Sequence, residues 1–134
     1  AISSLPIPVR AGPDGAATMR VTSGFWVSAF IRRVGLEGGF ATLRRRGAEE
    51  AGAIAVTVSR ANDRLVALYL QAPQSVFGED RPEDRLFVPA WPEIFVEEEK
   101  VRDKLEREMR FDPDLWIVDV DDRDGRSFLD IART

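Results

Sequence analysis

A chain of 134 residues, 44% hydrophobic and 31% charged with a net charge of −4, has the length and composition of one globular domain with its own core. It holds neither histidine nor cysteine, which excludes histidine-based triads, cysteine nucleophiles, thiolate zinc sites and disulfide frameworks. No apolar run reaches the roughly 18 residues of a membrane helix and no secretory-type leader is evident, so the cytoplasm is the expected compartment and a membrane partner is not expected.

Residues 1–18 carry Pro6, Pro8, Gly12, Pro13 and Gly15, too much punctuation for a helix or a central strand. They read as an arm preceding a single domain over 19–134, with Ile2, Leu5, Ile7 and Val9 expected to rest on the core or on a neighbouring subunit. A helix is predicted over 23–37, capped by the Ser23 hydroxyl and stopped by Gly38 and Gly39. Trp26, Phe30 and Val34, with Phe25 and Ala29 beside them, form its apolar stripe.

Strand-like runs follow at 40–46, 53–59 and 65–70, read as an antiparallel meander, with the third apolar on both faces and therefore central. A polar loop is expected over 71–84 and a fourth strand over 85–90, set at an edge by Pro89. Trp91-Pro92 then introduces a charged helix over 93–110, with Ile94, Val101, Leu105 and Met109 as a narrow apolar face. Its remaining charges read as a wet helix face, with Glu98–Arg102, Asp103–Arg107 and Glu106–Arg110 as the expected ion pairs. A strand over 115–120 and a turn over 121–125 lead to 127–131, read as the hairpin partner of that strand.

The charge is unevenly spread. Residues 19–47 hold six arginines against Glu37, whereas 48–134 hold twelve basic and twenty-one acidic residues. Arg44, Arg45 and Arg46 are the one concentrated basic feature on a strand. Alternation sends Arg44 and Arg46 to one face, about 7 Å apart, where two guanidiniums could grip an anion, while Glu49 and Glu50 beyond the turn could satisfy them internally. Asp119, Asp121, Asp122 and Asp124 are the densest acids, but their spacing fails a calcium loop, since Arg123 stands at the fifth position and Asp130 at the twelfth. A hairpin turn is the better account, and no metal or cofactor is assigned. Gly38 and Gly39 follow a helix instead of preceding one, the wrong side for a phosphate cradle. Trp26, Trp91 and Trp116 read as core residues. The acidic balance and the scarcity of stacking aromatics on the basic strand make nucleic acid an unfavoured partner.

Three stretches together, Met19-Arg20-Val21-Thr22-Ser23-Gly24-Phe25-Trp26-Val27-Ser28-Ala29, Arg44-Arg45-Arg46-Gly47-Ala48-Glu49-Glu50-Ala51-Gly52-Ala53-Ile54 and Phe111-Asp112-Pro113-Asp114-Leu115-Trp116, resemble a family of short alphaproteobacterial proteins catalogued as a domain of unknown function. The resemblance covers about 19–131. It implies a bacterial, free-standing small domain and brings no activity, cofactor or functional residue with it.

The expectation is thus an α+β fold, an antiparallel sheet of about five or six strands with two helices. The first functional reading is a non-catalytic interaction module whose partner is another protein or a second copy, as a homodimer formed through an exposed strand or the arm. The alternative is a small anionic-ligand binding protein or enzyme using Arg44 and Arg46 with Glu49 and Glu50. Nucleic-acid binding is the third reading, and no residue is assigned a catalytic role.

Overall fold

The computed structural model describes residues 21–73 and 85–132. The expected arm and most of the expected polar loop lie outside the described residues. Helix α1 spans Ser23–Leu36. Its cap is Thr22, whose Oγ1 accepts the Phe25 amide at 3.1 Å. Ser23, expected in that role, is the first helical residue and is fully buried, and its hydroxyl donates to the Gly52 carbonyl at 2.5 Å. At the other end the Gly38 and Gly39 amides donate to the Gly35 and Val34 carbonyls, with Gly38 at φ +96°. This is the six-residue C-terminal closure that needs a left-handed residue after the cap, and glycine takes it without a Cβ clash.

Strands β1 (Phe40–Arg45), β2 (Ile54–Ser59), β3 (Leu65–Gln71), β4 (Leu86–Pro89) and β5 (Phe95–Glu97) precede helix α2 (Glu98–Phe111), and β6 (Trp116–Asp121) and β7 (Asp130–Ile131) close the described chain. All seven strands join one sheet in the order β1-β6-β2-β3-β4-β7, with β5 alongside β3 below β4. The α+β class holds, but the sheet is mixed and has more strands than expected: β6 runs parallel to β2, and β7 parallel to β4. The expected meander is corrected accordingly. β2 and β3 form its hairpin, whereas β6 is inserted between β1 and β2. The expected hairpin of 115–120 with 127–131 is not formed either, because β7 crosses to the far edge and pairs with β4. The predicted start of the second helix at Glu93 is early by five residues, since the helix begins at Glu98. Residues 95–97 pair with β3 first, Val96 opposite Val66, and the buried Val96 holds that segment extended.

The sheet is covered on both faces. Ile54, Val56 and Val58 of β2 and Trp116, Val118 and Val120 of β6 pack under Val27, Phe30 and Val34 of α1. Trp26 is half-buried beside them, stacked on Phe30 at 4.8 Å and against Phe87 at 5.4 Å. Phe25 and Ala29, expected in the stripe, point to solvent. On the opposite face Ala55, Leu68 and Ile117 pack under Val101 and Leu105 of α2, with Leu115 and Val96 completing the cluster. Trp91 borders this second core, so the three tryptophans are divided between the two faces. Ile94 lies outside α2 and is exposed. Among the described residues the ion pairs of α2 are Glu99–Arg102 and Lys104–Glu108 instead of the three expected.

Candidate functional site

Among the described residues β1 lies at one edge of the sheet and carries the arginines of interest. Leu43 stands opposite Val118, but Arg45 stands opposite Ile117, so one extra residue is accommodated at Arg44. This bulge inverts the side-chain alternation beyond it. Arg44 lies on the α2 face and donates from Nε to Asp119 Oδ2 at 3.0 Å. Arg45 donates to the Pro113 and Leu115 carbonyls at 3.1 and 2.6 Å. Arg46 lies over the Trp116 ring, 5.4 Å from its centroid, on the α1 face. Arg44 and Arg46, expected side by side, are therefore separated by the thickness of the sheet.

Glu49 and Glu50 belong to a loop that locks the start of α1. Their backbone carbonyls accept the Gly24 and Ser23 amides at 3.0 and 3.2 Å, supplying partners that a helix start lacks. The Glu49 carboxylate occupies the space where Gly24 has no side chain and lies 3.5 Å from Arg46. That pair is well exposed, so its contribution is small. The same loop is tied to β6: Ala48 donates its amide to the Asp114 carbonyl at 3.0 Å, and its carbonyl accepts Trp116 Nε1 at 2.7 Å. A Cβ on Gly47 would stand 2.1 Å from the Asp114 carbonyl oxygen. Gly47→Ala is therefore expected to destabilise by about 1–3 kcal/mol, the cost of overpacking against backbone. Gly35, with open space around it in α1, is the control: Gly35→Ala should stabilise by about 0.5–1 kcal/mol. Urea midpoints of the two variants moving in the same direction would contradict this picture.

Of the four residues singled out on sequence, Arg44 alone lines the groove between β1 and the start of α2. This cavity of about 370 Å³ lies on the α2 face, where β1, β6, β2 and β3 pass the first turn of α2. It opens at the carboxyl ends of the parallel pair β2 and β6. Its lining combines the polar Thr42, Thr57, Ser59 and Asp119 with Val66, Val101 and Val120. Thr57 is 3% exposed and donates to Asp119 Oδ1 at 2.6 Å. Asp119 is thus held from both sides, by a hydroxyl and by the Arg44 guanidinium. Phe40, Asp121, Glu98 and Arg102 form the rim. The sequence contained one signal for this groove, the replacement of apolar by polar residues along one face of β2 and β6: Ala55 gives way to Thr57 and Ser59, and Ile117 to Asp119 and Asp121.

The four acidic residues near the end of β6 do not converge. Asp119 serves the groove, while Asp122 is 2% exposed and organises the following turn. Its Oδ2 accepts the Arg126 Nε at 3.1 Å and the Arg126 and Asp124 amides at 2.8 and 3.1 Å, while Oδ1 accepts Arg126 Nη2 at 2.7 Å. The Arg126 side-chain hydrogen bonds, against the opposing effect of burial, hold its pKa down to about 2, helped by the two amides and the Arg126 charge. No group of three or more carboxylates capable of holding a metal ion occurs among the described residues, and no helix among them is long and apolar enough to cross a membrane.

Comparison with known proteins supplies a family and no activity. The solution structure of protein Atu0922 from A. tumefaciens is 40% identical, superposes with a TM-score of 0.70, and the match covers 87% of this chain and 98% of that one. A crystal structure of a DUF1491 family protein from Caulobacter crescentus CB15 is 31% identical with a TM-score of 0.69, covering 84% and 98%. An NMR structure of a DUF1491 family protein from the same organism gives 33% and 0.68, covering 84% and 97%. No curated protein matches. The profile of DUF1491, described as a protein of unknown function, matches residues 21–130, and the chain belongs to this family.

Proposed function

We propose that the protein is a non-catalytic interaction module whose partner is a second copy of the chain, joined along the outer edge of β1. The supporting observation is the position and exposure of that strand. β1 pairs with β6 on one side only among the described residues, and its Phe40 and Leu43 are 65% and 39% exposed. Leu36 and Phe25, at the two ends of the adjoining α1, are also exposed. An uncovered edge with apolar side chains is what a symmetric partner strand covers, since pairing satisfies the outward backbone groups and buries those side chains together.

The bulge at Arg44 limits such pairing to the straight portion of β1 and favours a closed dimer over an open fibre. Light scattering across a concentration series should give a dimer mass for the wild type. The Phe40→Glu, Leu43→Glu double variant should stay monomeric with an unchanged circular dichroism spectrum. A wild-type protein that remains a monomer at every concentration removes this reading.

A further inference from the structure

The groove on the α2 face carries both signs of charge in a definite order. Phe40 stands directly opposite Asp121, and Thr42 opposite Asp119, so the two aspartates are two residues apart along one face of β6, about 7 Å between their backbone positions. At the rim Phe40 is 65% exposed, and Asp121 and Glu98 form no ion pair among the described residues. An aromatic face beside two carboxylates attracts an ammonium group, through the ring quadrupole and through charge. Along the groove from there, the half-exposed Arg44 spends Nε on Asp119 and keeps both Nη groups for another acceptor. Among the described residues Arg102, across the groove, has a single ionic contact, at 3.7 Å to Glu99. Two guanidiniums facing one cavity suit a carboxylate.

From this order of charges we infer that the groove binds a short zwitterion, with its ammonium end between Phe40, Asp121 and Glu98 and its carboxylate end on Arg44 and Arg102. The spacing selects its length: two extended residues span about 7 Å, so an unblocked dipeptide reaches from one end to the other and a free α-amino acid does not. The cavity of about 370 Å³ falls within the roughly 300–1,000 Å³ of small-molecule sites. Thr42 and Ser59 in the lining offer hydroxyls to the peptide group. Phe40 belongs both to the β1 edge and to this groove, so dimerisation is read by light scattering and ligand binding by shift mapping, and either can fail without the other.

The test is amide chemical-shift mapping with glycylglycine, N-acetylglycylglycine and glycylglycinamide. Glycylglycine should produce saturable shifts confined to β1, the ends of β2 and β6, and the first turn of α2. Blocking either end should weaken binding by about tenfold or more, the equivalent of one lost ion pair. Arg44→Gln should remove the preference for a free carboxylate and Asp121→Asn the preference for a free amine, each with an unchanged thermal melt. Absence of saturable shifts up to the solubility limit, or equal binding of the blocked and unblocked peptides, overturns the proposal. So does equal displacement by inorganic phosphate, which would mark a simple anion site.

Discussion

Trp116→Ala is expected to destabilise the protein by about 3–5 kcal/mol, the range for removing a buried large aromatic. Trp116 is 1% exposed and lies in the core beneath α1. It also anchors the 47–52 loop, since Nε1 donates to the Ala48 carbonyl at 2.7 Å and Arg46 covers the ring. Against a typical total of about 5–15 kcal/mol, the loss should be visible as a large drop in urea midpoint. Trp116→Phe separates the two contributions. It keeps most of the packing and removes one of the two donors to the Ala48 carbonyl, which retains the Gly52 amide at 3.2 Å, for about 0.5–1.5 kcal/mol. Equal losses for the two variants would show that the ring volume contributes little, and that the hydrogen bond to the loop dominates.

Asp122→Asn should cost about 1.5–3 kcal/mol near neutral pH, the range for hydrogen bonds to a charged group. The size of that difference should depend on acidity in a definite direction. The carboxyl is held down to about 2 in the folded protein, below its ordinary value of 3.8. The stabilisation is therefore fully present above about pH 4 and lost as the pH falls toward 2. Denaturation of wild type and variant across this range should show two curves that converge in acid. A difference that stays constant down to the acid limit would remove the carboxylate as its source.

Element identity was largely legible in the sequence, and pairing was not. The Trp26, Phe30, Val34 spacing marked α1, and Val101 with Leu105 marked the buried face of α2. Thr22 displaced Ser23 as the cap because Ser23 is needed to hold Gly52, a contact 29 residues away that no local pattern contains. The insertion of β6 had a readable cue. Leu115, Trp116, Ile117 and Val118 are all buried, the continuous apolar run of a strand covered on both faces, yet neighbouring segments in a chain favour reading sequential hairpins. The separation of Arg44 from Arg46 follows from a single extra residue at the bulge, whose position depends on the register with β6. Arg102, which joins Arg44 at the groove, read as part of a solvated helix face because the path of α2 across the sheet is a tertiary fact.

The place of β6 also has a consequence for synthesis. Among the described residues β1 has β6 as its only neighbour, and β2 has β6 along one whole side. A nascent chain therefore carries two unsatisfied ladders until the segment ending at Asp121 has left the ribosome, far from the local pairing that favours quick folding. Truncation before β6 would not trim the molecule at its margin. It would cut the sheet in its interior and leave β1 with no ladder to join it to the β2–β3 hairpin.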